Sequence, residues 1–133
     1  MKSILNMISI SELIMVEFSI WNKCINSYSK MYITIDTGAS VTTISADILN
    51  KLGYDTTSGS KQRILTASSV EYVKTVTLDK VKLGSFELEN IQVYAHTFPE
   101  SSFSIGVIGL NILKKFDVNF LFSSKTIELC EAI

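Results

Sequence analysis

The chain has 133 residues, 47% of them hydrophobic and only 19% charged, with a net charge of −1. That length builds one core, and the near-zero charge removes the electrostatic case for binding nucleic acid or an acidic membrane surface. A mean hydropathy of +0.30 in so small a protein points to apolar surface that self-association would cover.

Two cysteines, Cys24 and Cys130, and the lone His96 are too few for a zinc site and stand in no metal-ligand spacing, so neither a metal nor a cofactor is expected. Both thiols read as free and buried, which fits a reducing, cytoplasmic setting. The N-terminal apolar run is interrupted by Asn6, Ser9, Ser11 and Glu12. It is too short and polar to span a membrane and makes a poor signal peptide. Residues 1–11 read as an extension that processing could remove, ahead of one domain over 12–133.

In chain order, residues 12–20 read as a strand and 21–30 as a hairpin connection, with Asn22, Asn26 and Ser27 as turn residues. Residues 31–36 form the return strand. Residues 41–43 continue as a short extended piece. A short helix follows over 45–53, with Ser45 as its N-cap and Gly53 as its stop. Beyond a polar loop at 55–62, residues 63–67 and 70–78 form a hairpin broken at Ser68-Ser69. Residues 81–83 and 86–94 form a second hairpin around Gly84-Ser85. After a loop holding the single proline, Pro99, come a strand at 105–110, a short helix at 111–116, and closing strands at 117–122 and 125–130. Many short strands with two short helices predict a mostly-β barrel or sandwich.

One stretch carries chemistry. Tyr32-Ile33-Thr34-Ile35-Asp36-Thr37-Gly38-Ala39-Ser40 is an apolar strand that runs directly into a carboxylic acid, a hydroxyl and a glycine. An ionised carboxylate is costly to bury without a partner. The plain account is a strand that ends in a turn, since turns favour Asp and Gly. The alternative is that Asp36 is half of a catalytic pair of acids. Asp117 also follows an apolar residue, but no Thr-Gly comes after it, and it reads as a strand-edge acid.

Three stretches together resemble the retropepsin-like aspartic proteases, the single-lobe relatives of pepsin. Residues 33–40 match the active-site loop, 64–72 stand in the place of the flap hairpin, and Val107-Ile108-Gly109 with the helix behind it match the two-apolars-then-glycine motif. The resemblance covers about residues 12–130 and is closer to bacterial and cellular members than to retroviral ones. Many retroviral enzymes place an acid directly after Asp-Thr-Gly-Ala and an arginine directly after the second motif. This chain has Ser40 and Leu110 there, so both halves of that ion pair are missing together.

The resemblance implies a closed barrel of short strands with a flap hairpin and one or two short helices, one lobe per chain. It implies an aspartic endopeptidase that needs two carboxylates where the chain supplies one, hence a homodimer that brings two copies of Asp36 together. Thr37, Gly38, Ala39 and Ser40 would form the active-site loop, with Thr37 bonding the partner's loop. Leu65, Thr66, Ala67 and Ser68 would be the flap residues that hold an extended peptide or protein substrate. Gly109 would pack closely on the loop or serve as a turn glycine, and Asn111 would cap the helix after it. Tyr72 would either hang over the cleft or pack across the hairpin. The flap tip lacks the glycines of retroviral flaps, which leaves a second reading: a non-proteolytic dimeric peptide-binding module that keeps the fold.

Overall fold

Strands with one buried face account for most of the chain, and the alternation that the sequence displays is the alternation that packs. The computed structural model describes residues 1–8, 12–65, 70–97 and 105–131. Their elements are β1 (Lys2–Asn6), β2 (Met15–Asn22), β3 (Ser27–Ile35), β4 (Thr43–Ser45), α1 (Ala46–Lys51), β5 (Lys61–Leu65), β6 (Val70–Leu83), β7 (Phe86–His96), β8 (Gly106–Ile108), α2 (Leu110–Leu113), β9 (Phe116–Leu121) and β10 (Thr126–Glu131). The fold is a retropepsin-like lobe, mostly β, with two short helices.

Six strands close into a ring in the order β2-β3-β8-β4-β7-β6, and Ser19↔Lys82 and Ile20↔Val81 join β6 back to β2. Val16, Phe18, Ile20, Ile33, Ile44, Leu78, Val81, Val93 and Ile108 fill the ring and are fully buried. β5 lies outside the ring and, among the described residues, pairs only with the first part of β6. A separate three-stranded sheet, β1-β10-β9, gathers the two ends of the chain. Lys2–Asn6, set apart in the sequence reading as an extension, supply β1 and place Leu5 in the core.

The β6–β7 hairpin turns a corner. Val76 and Leu78 are buried on even positions, whereas Val81 and Leu83 are buried on odd ones, and β7 switches in step from Phe86 to Ile91 and Val93. The change of face falls where Asp79 and Asn90 drop out of the ladder, with Asn90 in the left-handed region at φ 53°. Asparagine tolerates that region better than most residues. Tyr54, buried in the core, reaches this gap. Its hydroxyl donates to the Trp21 carbonyl at 2.7 Å and accepts the Asp79 N–H at 3.3 Å.

The structure corrects several sequence expectations. The 21–30 connection is short, because the β2–β3 ladder runs out to Asn22↔Ser27 and Asn26 makes the turn at φ 51°. The first helix is shorter than 45–53. Ser45 holds its N-cap position without a side-chain cap bond, because it is also the last residue of β4, paired with His96. Cys24 is free, as expected, but exposed, since it sits in the β2–β3 turn.

Candidate active site

β3 delivers Asp36 and β8 holds it there. The Asp36 N–H donates to the Ile108 carbonyl at 3.0 Å, which extends the parallel β3–β8 ladder by one bond. The chain then folds back on itself. The carboxylate Oδ1 of Asp36 accepts the Gly38 N–H at 2.9 Å, and the Asp36 carbonyl accepts the Ala39 N–H at 3.2 Å. A Cβ on Gly38 would lie 3.2 Å from that same Oδ1, so the glycine keeps a side chain off the acid. Asp36 is half-buried, and Thr37, Gly38 and Ser40 are exposed.

The loop is locked from behind by the start of α2. The Leu110 N–H donates to the Ala39 carbonyl at 2.8 Å and the Asn111 N–H to the Ser40 carbonyl at 3.1 Å. Helix starts leave N–H groups without intrahelical partners, and here the loop's carbonyls satisfy them. These bonds join the stretches that an ion pair joins in many retroviral enzymes. A Cβ on Gly109 would stand 2.7 Å from the Val41 carbonyl carbon, 2.8 Å from the Ala39 oxygen and 2.9 Å from the Thr42 nitrogen. All three are backbone atoms that cannot yield, so Gly109 serves close packing.

Asn111 does not cap α2. Gly109 occupies the cap position, without any side-chain cap bond. Asn111 lies one residue inside the helix and reaches across to the loop instead. Its Oδ1 accepts both the Thr42 N–H and the Thr42 hydroxyl, each at 2.8 Å. Its Nδ2 donates to the Gln92 carbonyl of β7 at 2.8 Å. Thr42 Oγ1 in turn accepts the Gly109 N–H at 3.0 Å. Thr42 is fully buried and is the residue that sequence reasoning missed. As one of two adjacent threonines in a short extended piece, it carried no signal of its own.

A strip of side chains leads away from Asp36 across the ring. Thr34, Val107, Thr43, Tyr94 and Thr75 stand side by side in register on five strands. The rows on either side of the strip, such as Ile33, Ile44 and Ala95, or Ile35, Ile108 and Val93, point into the core. By alternation the strip therefore faces outward, on the side to which Asp36 belongs. Thr75 Oγ1 is buried with no hydrogen-bond partner among the described residues.

Of the expected flap residues, Leu65 ends β5 opposite Val70, while Thr66, Ala67 and Ser68 lie outside the described residues. Tyr72 stands opposite Arg63, on the other face of β6 from Val73 and Thr75. It is exposed and carries Lys61 Nζ over its ring at 4.6 Å. Among the described residues, no three His, Cys, Asp or Glu side chains gather to hold a metal, and no helix is long and apolar enough to cross a membrane.

A family model described as "gag-polyprotein putative aspartyl protease" matches residues 22–115, from the β2–β3 turn through Asp36 to the end of α2. The chain belongs to this aspartyl protease family. Its structure is similar to that of a retropepsin-like aspartic protease from Rickettsia conorii, with a TM-score of 0.69 and 22% identity, over 97% of this chain and 89% of that one. At that identity the likeness speaks for the fold, and it is a bacterial protein that shares it. No curated protein matches. The family match leaves out the three-stranded terminal sheet of this aspartyl protease lobe.

Proposed function

We propose that the protein is an aspartic endopeptidase whose working unit is a homodimer with Asp36 of each copy facing the other across a two-fold axis. The observation that carries this reading is the locked Asp36-Thr37-Gly38 loop. An acid is held at a strand end by backbone bonds on both sides, with one carboxylate oxygen oriented by the Gly38 N–H. A structural turn would not need a buried threonine, a glycine with no room for a Cβ and an asparagine to fix it from behind.

Two carboxylates in contact cannot both ionise cheaply, so the pair holds one proton. The ionised member takes a proton from a water lying between them as that water attacks the scissile carbonyl. The protonated member gives its proton to the carbonyl oxygen, and a tetrahedral intermediate forms. Collapse of the intermediate returns a proton to the leaving amine. No covalent acyl-enzyme forms. The strip from Thr34 to Thr75 gives an extended peptide a floor to cross, with backbone groups of Gly38 to Ser40 pairing with it like an added strand.

The test is cleavage of a peptide library at high protein concentration between pH 4 and 7, wild type against Asp36→Asn. Cleavage by the wild type with a loss of about a thousandfold or more in the variant is expected. Equal cleavage by both would assign the activity elsewhere. No cleavage by either, in a protein shown to be dimeric, would favour a peptide-binding module.

A further inference from the structure

The β5–β6 hairpin gathers positive charge that the described residues do not balance. Register places Lys61 opposite Lys74 and Arg63 opposite Tyr72, and alternation puts all four on one face. Like charges directly opposite one another on a sheet are destabilising. The ion pairs among the described residues are Lys2–Glu128 and Lys30–Glu17, so none of these three cations is paired there. Glu71 falls in the other register set, opposite Ile64. Asp55, ahead of β5, accepts bonds from Thr57 and Ser58. What the hairpin supplies instead is a ring: Lys61 Nζ leans over Tyr72 at 4.6 Å, a contact worth little at an exposed site.

The face is open to a partner. Lys61 and Arg63 are exposed, and half-buried Lys74 lines a hollow with Tyr72, Thr56, His96 and Thr97. It also stands where the outward strip runs out. The strip ends at Thr75 of β6, and the next strand of the sheet is β5, where the Ser60 carbonyl accepts the Thr75 N–H at 2.8 Å. A polypeptide that crosses the strip therefore leaves it beside Lys61. The cationic face is the reverse of the one that carries Thr75, but lysine and arginine hold their charges on long stems that reach round the hairpin. A chain with a net charge of −1 has no long-range pull on nucleic acid, so this local excess suits the carboxylates of a polypeptide.

We infer that the Lys61, Arg63 and Lys74 face is an exosite for an acidic segment of the protein substrate, outside the residues that occupy the strip. This rests on the protease reading and narrows its substrate class to polypeptides with Asp or Glu at alternate positions several residues from the scissile bond. Acids two apart in an extended segment repeat at about 7 Å. Lys61 and Arg63 share that repeat along β5, so each meets a carboxylate.

The test takes peptides that the library assay shows to be cleaved and extends either end with Glu-Ser-Glu-Ser, Lys-Ser-Lys-Ser or four serines. The acidic extension is expected to lower KM about fivefold relative to serine at low salt, with kcat unchanged, and to lose that advantage in about 0.5 M salt. Lys61→Glu and Lys74→Glu should each remove it, and the double variant should prefer the lysine extension. Lys82→Glu, the same change of charge at the far end of β6, should leave it within about twofold. Lys61→Gln and Lys74→Gln replace any Glu variant that fails to fold. Equal KM for all three extensions, or an acidic preference that survives the double variant, would overturn the inference. Where no Asp36-dependent cleavage is found, fluorescence anisotropy reads binding of the Glu-Ser-Glu-Ser peptides to the full chain. Binding that Lys74→Glu weakens would uphold the surface and overturn the protease reading alone. No binding, or tighter binding of a single-stranded oligonucleotide of equal charge, would overturn the exosite too.

Discussion

Thr42 illustrates how the Asp36 loop depends on a residue buried behind it. Its hydroxyl donates to Asn111 and accepts from Gly109, so it ties the loop to the helix that supports it. Thr42→Val keeps the shape but leaves the Gly109 N–H unpaired in a buried site. The expected cost is about 1–3 kcal/mol, read as a lower urea midpoint. Because a small displacement of a reacting group is expensive, kcat should fall by about tenfold or more with KM little changed. Asn111→Ala should behave alike. At this scale the sequence was partly legible. Asp36, Gly38 and Gly109 stand in motifs that only a few backbone geometries permit. Thr42 and the true role of Asn111 were not legible, because both act through partners 69 residues apart in the chain and chain spacing does not reveal such contacts.

Among the elements, hairpins were legible where alternation was clean, and boundaries failed where one residue served two elements. Ser45 ends β4 and opens α1, and neither pattern alone reveals that overlap. The corner in β6–β7 was hidden for a similar reason: a simultaneous switch of face in both strands leaves each half in perfect alternation. Tyr54 makes that corner testable. Burial pushes its hydroxyl above the ordinary tyrosine range, only partly opposed by the Asp79 N–H. Burial, followed by the 2.6 Å bond to Glu87, pushes Tyr28 higher still. Both groups resist ionisation in the folded state. The stability they confer is therefore complete below about pH 10, where free tyrosine begins to titrate, and is lost as the pH rises beyond it. Urea midpoints measured from pH 8 upward should hold level and then fall. Tyr54→Phe should cost about 1 kcal/mol at neutral pH and make the alkaline decline shallower.

For the whole molecule, a site that needs two chains makes activity a function of concentration. Cleavage per chain should be constant well above the dimer dissociation constant and fall in proportion to concentration well below it. A dilution series would show this, and a rate per chain that stays flat through full dissociation would contradict a shared dyad. The single Asp-Thr-Gly is what made the expectation of a second copy legible. The edges of the terminal sheet were not legible, because edge strands are defined by topology. Nothing in Phe-Asp-Val-Asn-Phe-Leu says on which side it lacks a neighbour.

β6 is a single beam with two loads. Its far end, at Val81 and Lys82, closes the ring against β2, and its near end, from Val70 to Lys74, carries β5. Between them the strand is clamped at Gly59, where a Cβ would come 2.0 Å from the Thr75 carbonyl oxygen. A cantilever transmits slack at its anchor to its tip. Val81→Ala, which leaves a small void at the anchor and costs about 1–3 kcal/mol, should therefore speed hydrogen exchange at Gln62 and Val73, strand pairs away from the substitution. The tightness of the barrel seam would then set how firmly β5 is held, so that one end of a strand governs the stability read at the other.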